Sequence, residues 1–187
     1  MSRKIILASK SPRRFELMKM AGFDFIVDSK NVEENHPKGL APHLIPASLA
    51  TKKAKAFLAE LDDDTIVIGA DTIVILDGAI YEKPNNREHA IQMLSALSGK
   101  MHEVVTGVCI LSNKKEIVFS DTTKVYFNPL TLAEIEYYVD NYKPFDKAGS
   151  YACQEWIGAI GIKKFNGDYF NVVGLPINRV YQELNRF

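Results

Sequence analysis

The order of apolar and polar positions predicts strands and helices that alternate along the whole chain. Apolar, β-branched runs predict strands at residues 4–8, 25–28, 65–76, 80–81, 103–111 and 116–127. Apolar residues spaced three or four apart predict helices at residues 12–20, 42–61, 86–97, 131–139 and from residue 176 onward. A polar segment, residues 29–39, follows the second strand. This alternation, with no low-complexity linker or obvious repeat, favours one α/β domain over two independent domains.

Local signals mark several ends of these elements. Asn86 is placed to cap a helix, and Thr131 with Glu134 forms the pattern of a capping box. Asp77-Gly78 and Asn166-Gly167 are dipeptides typical of hairpin turns, because both positions of such a turn need positive φ. Each pair therefore predicts two adjacent antiparallel strands.

The composition restricts the class of protein. With 187 residues, 47% of them hydrophobic, the chain can bury a sizeable core and is expected to form a single domain over residues 1–187. Lys plus Arg equals Asp plus Glu at 23 each, which argues against a nucleic-acid polymer as partner. A small anionic ligand requires only a local basic patch and stays compatible with this balance.

The cysteines and the apolar runs bear on the compartment. Cys109 and Cys153 lie far apart and outside any C-x-x-C pattern, so the sequence predicts neither a disulfide framework nor a zinc site. The four histidines also lack the spacing of zinc ligands. No run approaches the roughly 20 apolar residues of a membrane span. We therefore expect a cytoplasmic protein with no membrane contact.

Residues 7–14, Leu-Ala-Ser-Lys-Ser-Pro-Arg-Arg, end the first strand and begin the first helix. Ser11 suits the N-cap and Pro12 the first helical position. Arg13 and Arg14 oppose the helix dipole there unless an anion lies between them and the helix end. A phosphate chain would resolve this conflict, because guanidinium donors match phosphate oxygens. The alternative is that both arginines lie on a solvated face.

Asp71 interrupts the most apolar strand of the chain, residues 65–76. A carboxylate in such a setting is tolerated when it is paired, binds a metal or faces a cleft. Gly69 and Ala70 before it would let a ligand or another backbone approach closely. A buried ion pair and a turn at residues 70–72 are the structural alternatives, and we favour a functional carboxylate.

Other candidate residues are weak when taken singly. Lys53 lies on the predicted second helix and Lys83 precedes Pro84, and each could be a solvated lysine. Glu34 follows Glu33 in the polar segment, where the pair could serve a metal or simply lie at the surface. The amide of Gln154 could pair with a nucleobase edge or with backbone.

Taken together, these residues resemble the Maf family of nucleoside triphosphate pyrophosphatases over nearly the full chain. The matching pieces, in chain order, are residues 7–14 with Glu16-Leu17, Val32-Glu33-Glu34, Leu49-Ala50 with Lys53-Ala54, Gly69 to Val74, Lys83-Pro84, Leu97 to His102 with Thr106-Gly107, Asp146 to Gly149 with Tyr151 and Gln154, Asn171, and Gly174-Leu175-Pro176.

The resemblance implies a fold, an activity and a set of roles. The fold would be a mixed twisted sheet flanked by helices, with two lobes around a central cleft, as in inosine triphosphatase. The enzyme would be a nucleoside triphosphate diphosphatase, often a homodimer, that hydrolyses its substrate to the monophosphate and pyrophosphate with Mg²⁺ or Mn²⁺. The implied roles are proton acceptor for Asp71, substrate choice for Arg13, Thr72 and Gln154, phosphate and metal surroundings for Ser9, Arg14, Glu34, Lys53 and Lys83, and metal ligation for Asp71 and Glu34.

Within the family, Thr72 with Gln154 resembles the branch that acts on dTTP and UTP. Glu155-Trp156 departs from the small residues common after the glutamine, which bears on base preference. Two other functions are compatible with the residues. One is a pyrophosphatase that removes modified nucleotides, and the other is a non-catalytic nucleotide-sensing regulator of cell division, which the presence of Asp71 disfavours.

Overall fold

Seven strands of the described residues form one mixed sheet. The structure is a computed structural model that describes residues 3–35 and 39–187. The strands are β1 (Lys4–Ala8), β2 (Phe25–Val27), β3 (Thr65–Leu76), β4 (Ala79–Tyr81), β5 (Met101–Leu111), β6 (Glu116–Phe127) and β7 (Ile162–Asn166). Their order is β2-β1-β3-β5-β6-β7, with β4 beside β3. β1 is parallel to β2 and β3, whereas β4 and β7 are antiparallel to β3 and β6.

Seven α-helices accompany these strands in the described part of the chain. They are α1 (Pro12–Met20), α2 (Ile45–Lys55), α3 (Arg87–Leu97), α4 (Leu132–Tyr142), α5 (Trp156–Gly161), α6 (Tyr169–Val173) and α7 (Ile177–Leu184). Short 3₁₀ turns lie at Pro42–Leu44, Leu58–Glu60 and Ala148–Ser150. No helix in residues 3–35 and 39–187 combines the length and apolarity needed to cross a membrane. The predicted mixed sheet flanked by helices is confirmed.

The chain divides into two compact units. The first unit comprises the chain up to Thr72, Thr106–Asp121 and Gly174–Phe187. The second unit comprises Ile73–Val105 and Thr122–Val173. Each unit has its own apolar core. The expectation of one domain over residues 1–187 stays a prediction.

In the first unit, α2 packs directly on the sheet. Its buried residues join a core with β1, β3 and β5 that contains Ile6, Ala8, Ala50, Ala54, Phe57, Val67, Cys109 and Leu111. A Cβ on Gly69 would overlap the Ala50 carbonyl oxygen and lie 2.9 Å from the Ala54 nitrogen, and one on Gly107 would overlap the backbone of α2 near its start. Glycine at these two positions therefore lets the helix backbone touch β3 and β5.

The second unit is organised by well-capped helices. The Asn86 side chain accepts from the His89 amide at the start of α3, and Thr131 and Glu134 form the predicted capping box of α4. The two helices contribute to one core, which contains Val74, Leu76, Ala90, Leu94, Leu97, Val104, Val125, Phe127, Ile135, Tyr138, Val139, Tyr151, Cys153 and Ile157. Asp77 and Gly78 both have positive φ, so the predicted turn between β3 and β4 is confirmed.

Two local predictions are wrong. The second helix ends at Lys55 instead of residue 61, and a 3₁₀ turn follows at Leu58–Glu60. Asn166-Gly167 closes no hairpin, because β7 pairs with β6 and leads into α6. α5 and α6 were not predicted. Ser11 is the N-cap of α1, as predicted, although its side chain makes no capping hydrogen bond. The Ser11 amide donates to Ser9 Oγ over 3.2 Å. Residues 36–38 of the predicted polar segment lie outside the described residues.

Candidate active site

Lys53 joins two carboxylates in the first unit. Its Nζ lies 2.7 Å from Asp71 Oδ1 and 2.8 Å from Glu34 Oε1. The side chains of Lys53 and Asp71 are only 17% and 13% exposed, whereas that of Glu34 is 56% exposed. The structure thus brings together three sequence-predicted site residues that lie far apart along the chain.

The position of Asp71 follows from the strand that carries it. β3 is buried on both sides of residues 71 and 72, so its polar pair lies within an otherwise apolar strand. Residues two apart share a face of a strand, which puts Asp71 on the face that α2 contacts at Gly69. Lys53 lies on α2 one position before Ala54, and this contact brings its long side chain to the carboxylate. Of the alternatives, a turn at residues 70–72 is therefore wrong, and Asp71 is an ion-paired residue of a continuous strand.

Arg14 is buried, which excludes the solvated-face alternative for this residue. Its Nε donates to the Gly174 carbonyl oxygen over 2.8 Å, and its Nη2 donates to Thr72 Oγ1 over 3.0 Å. Its Nη1 donates to the Ala70 carbonyl oxygen over 2.9 Å and to Ser9 Oγ over 3.2 Å. Ser9 and Thr72, both predicted site residues, therefore meet at one guanidinium.

The electrostatics of Arg14 reflect this burial. Desolvation lowers its pKa from the ordinary 12.5, and the nearby charge of Asp71 opposes that shift. The half-buried neighbouring Arg13 lowers the pKa of Arg14 further, and Glu34 raises it. A guanidinium stays protonated in proteins, so the first unit holds two carboxylates among at least three cationic side chains.

Thr72 is held by several groups of the first unit. Besides the bond from Arg14, its hydroxyl lies 2.9 Å from Thr106 Oγ1 and 3.5 Å from the Gly174 carbonyl oxygen. Thr106 and Gly174 belong to the motifs that carry the resemblance, but no role was predicted for either. Their contacts with Thr72 could not be predicted, because Thr72, Thr106 and Gly174 lie on three chain segments that are distant in sequence.

The two remaining predicted site residues, Lys83 and Gln154, belong to the second unit. Lys83 is exposed in the segment between β4 and α3, next to Glu82, whose carbonyl oxygen accepts from the Gly149 amide. Gln154 is exposed just before α5, and the Cys153 thiol lies 3.7 Å from its Oε1. The proximity of these two residues to the carboxylates of the first unit stays a prediction.

A network of polar side chains contacts the residues on both sides of Gln154. The Tyr138 hydroxyl donates to Glu155 Oε2 and accepts from the Ala152 amide over 3.1 Å. Lys147 is 8% exposed, and its Nζ lies 2.8 Å from Asp146 and 3.4 Å from Glu155. Burial, and then Glu155, raise the pKa of Tyr138. Asp146 and Lys147 belong to a motif that carries the family resemblance, but the ion pair of Lys147 with Glu155 was not predicted.

The donor set available for a metal is small. No group of three or more His, Cys, Asp or Glu side chains suited to a metal ion occurs in residues 3–35 and 39–187. The carboxylates of Asp71 and Glu34 nevertheless share one cation, Lys53. Mg²⁺ usually binds proteins through one or two carboxylates and takes its other ligands from water and phosphate. These two residues therefore fit such an ion.

The sequence comparison identifies the family to which this fold and this site belong. Residues 4–187 match the family described as Maf-like protein, and the chain belongs to it. This confirms the resemblance predicted from the motifs.

Relatives and solved structures agree with this placement. The chain is 49% identical over 182 residues to a dTTP/UTP pyrophosphatase of Cytophaga hutchinsonii, covering 97% of this chain and 83% of that relative. It is 48% identical over 184 residues to a dTTP/UTP pyrophosphatase of Phocaeicola vulgatus, covering 98% of this chain and 95% of that relative. The Ham1 protein of Staphylococcus aureus shares the fold, with a TM-score of 0.58 at 17% identity over 98% of this chain and 99% of that one.

Proposed function

We propose that this protein is a pyrophosphatase that hydrolyses dTTP and UTP to the nucleoside monophosphate and pyrophosphate. The activity named for its relatives at 49% and 48% identity supports the reaction. The combination of Thr72 and Gln154 supports the pyrimidine preference. The observation that carries the proposal is the cation shared by two carboxylates: Lys53 Nζ lies within 2.8 Å of both Asp71 and Glu34.

The reaction would be attack of water on the α-phosphorus, with pyrophosphate as the leaving group. Asp71 accepts the proton of the attacking water, a role that suits a largely buried carboxylate held by one lysine. Lys53 and Arg13, with Lys83 of the second unit, offset the charge of the triphosphate and the charge that develops on the leaving pyrophosphate. Catalysis in this scheme is mostly positioning and charge neutralisation.

Asp71 and Glu34 would also hold a divalent cation. Their carboxylate oxygens are the ligand type that Mg²⁺ and Mn²⁺ prefer, and Lys53 already keeps the two groups close together. When bound, such an ion lowers the pKa of water and neutralises phosphate charge. Glu34, which is more than half exposed, is the ligand better placed to exchange between solvent and ion.

Base selection would rest on Arg13, Thr72 and Gln154. The amide of Gln154 offers both a donor and an acceptor, which a pyrimidine edge requires. The Tyr138 hydroxyl binds the Ala152 amide and the Glu155 side chain, the residues two positions before and one position after Gln154. A homodimer and a cytoplasmic location, both implied by the family resemblance or the composition, stay predictions.

A screen of nucleoside triphosphates tests this proposal. The protein is incubated with each common triphosphate and with modified nucleotides in Mg²⁺ or Mn²⁺, and released pyrophosphate and orthophosphate are assayed separately. We expect pyrophosphate alone, with kcat/KM for dTTP and UTP at least about tenfold above that for the other substrates. Asp71→Asn is the control for contaminating activity.

Two other outcomes would replace the proposal. A modified nucleotide with the highest kcat/KM would assign the protein to the removal of such nucleotides. Tight triphosphate binding without turnover in either metal would indicate a nucleotide sensor.

A further inference from the structure

The guanidinium of Arg14 is occupied by the protein itself. Four of its five N–H groups donate to acceptors of the first unit at distances between 2.8 and 3.2 Å. The residue is 9% exposed, and desolvation is the largest influence on its pKa. A triphosphate could bind several of these donors only by displacing acceptors that are already in place.

Two of the acceptors of Arg14 flank Asp71 in β3. The Ala70 carbonyl and the Thr72 hydroxyl belong to the residues immediately before and after Asp71 in β3. Gly174 contributes its carbonyl from 160 residues further along the chain than Arg14. A planar guanidinium presents its donors in a fixed fork, so it holds these groups in one relative arrangement.

The positive charge of Arg14 strengthens the hydrogen bonds that it donates. Hydrogen bonds from a cation to a neutral acceptor are stronger than neutral ones, and those of Arg14 lie in a buried setting. Losing the guanidinium would leave the Ala70 and Gly174 carbonyls without these donors, whereas a lysine could replace only part of them. The position of Asp71 in the strand would then be less well defined.

We propose that Arg14 is a positioning residue for the hydrolytic reaction. It acts through Asp71 and Thr72, whose backbone and hydroxyl it fixes, and not through a bond to the triphosphate. The inference rests on the proposed function and differs from the phosphate-binding role that the family resemblance implies for Arg14. The inference also gives Thr72 a second role besides substrate choice, because the Thr72 hydroxyl links Arg14 to Thr106.

Separate measurements of turnover and binding test this role. The variants are Arg14→Lys and Arg14→Gln, kcat is measured by pyrophosphate release from dTTP and UTP, and the binding probe is the α,β-imido analogue of dUTP in calorimetry with Mg²⁺. We expect kcat to fall about 10-fold in Arg14→Lys and about 100-fold in Arg14→Gln, with Kd for the probe changed by less than about threefold. A phosphate ligand would behave differently: a Kd weakened about 30-fold or more in Arg14→Gln, with kcat near that of the wild type, would overturn the inference.

A double-mutant cycle with Thr72→Val identifies the path of the effect. If Arg14 acts through Thr72, the double variant should be no more than about threefold slower than Arg14→Gln alone. Fully multiplicative losses of kcat would contradict that path. Should Arg14→Gln fail to fold, Arg14→Lys takes its place in the cycle, and wild-type kcat in Arg14→Lys would overturn the positioning role.

Amide hydrogen exchange supplies a readout that needs no turnover. We expect Arg14→Lys to increase exchange at residues 69–73 while exchange in α3 and α4 stays that of the wild type. Unchanged exchange at residues 69–73 would refute the positioning role even if the wild type released no pyrophosphate. Failure of the wild type to release pyrophosphate would instead refute the proposed function.

Discussion

Lys53 and Asp71 form an ion pair between α2 and β3, with Nζ 2.7 Å from Oδ1. The pair is largely buried, and the same ammonium also contacts Glu34. Lys53 thus holds the Asp71 carboxylate through Oδ1, on the face of β3 that lies next to α2. The first prediction follows from this relationship.

Asp71→Asn should abolish most turnover and leave the fold intact. The amide keeps the size of the side chain but cannot accept a proton, so kcat should fall by about 10²–10⁴-fold. Binding of the α,β-imido analogue of dUTP should weaken less than kcat, because Lys53, Arg13 and Lys83 remain. Pyrophosphate release, calorimetry and circular dichroism measure the three quantities.

Asp77→Asn is the matched control for this variant. Asp77 lies in the turn just after β3, has a positive φ that asparagine tolerates, and is highly exposed. Its replacement should leave kcat at the wild-type level. Wild-type activity in Asp71→Asn would contradict the assignment of the proton acceptor.

Gln154→Ala should loosen the choice of base more than it slows the best substrate. Removing the amide takes away a donor and an acceptor without affecting the phosphate contacts, so the ratio of kcat/KM between preferred and other nucleotides should fall about tenfold. The kcat for dTTP or UTP should change by less than about threefold. Gln182→Ala on α7 is the control, since this exposed amide donates to Asn178 of the same helix. An unchanged ratio would exclude Gln154 from base selection.

Gly69→Ala should destabilise the protein and lower its activity. The added methyl group would overlap the Ala50 carbonyl, and α2 would have to move away from β3. Overpacking typically costs about 1–3 kcal/mol, and the clash here is with backbone, so we expect a loss in the free energy of unfolding at the upper end of that range. Because Lys53 moves with α2, kcat should also fall.

Gly161→Ala provides the comparison. A Cβ there would lie 3.2 Å from the end of the Leu130 side chain, which can shift. Denaturant unfolding of both variants should show a clearly smaller loss for Gly161→Ala. Equal losses would mean that the contact of α2 with β3 is not tight.

His102 should make the stability pH-dependent below neutrality. The side chain is 1% exposed, packs edge-on against Phe127 and Tyr151, and pairs with the Tyr151 hydroxyl over 2.7 Å. Burial lowers its pKa from 6.5 to about 3. Between these two values the unfolded chain binds a proton that the folded chain does not, so the free energy of unfolding decreases as the pH falls.

The variant His102→Gln isolates this contribution from that of the carboxylates. Its amide can still pair with Tyr151 but does not titrate. The free energy of unfolding of the wild type should fall by about 2 kcal/mol more than that of His102→Gln between pH 7.5 and pH 5. Parallel pH profiles for the two proteins would show that folding does not lower the pKa of His102.

Local sequence signals predicted much of the fold. The Thr131–Glu134 capping box, the Asn86 cap and the turn at Asp77-Gly78 were all confirmed, because each depends on residues within a few positions of one another. The bounds of β3, residues 65–76, were predicted correctly for the same reason. The turn predicted at Asn166-Gly167 was wrong because the partner of β7 is β6, about 40 residues earlier, and that pairing leaves no local trace.

For the site as well, the sequence indicated individual residues but not the contacts between residues that are distant along the chain. Asp71 was identified from its apolar surroundings, and the family motifs identified Lys53 and Glu34. The sequence could not show that one ammonium joins both carboxylates, because that depends on the contact of α2 with Gly69. The guanidinium of Arg14 was predicted to face an anion, whereas most of its donors meet protein oxygens.

The two glycines that contact α2, Gly69 and Gly107, also determine which positions of this helix tolerate substitution. Main-chain contact at Gly69 and Gly107 sets the distance between α2 and the sheet. The distance from the Lys53 backbone to Asp71 therefore does not depend on the size of the neighbouring core side chains. Apolar positions elsewhere on α2 can be exchanged at roughly constant volume. A library that randomises those positions but retains Ala50, Ala54 and both glycines should therefore be rich in active variants.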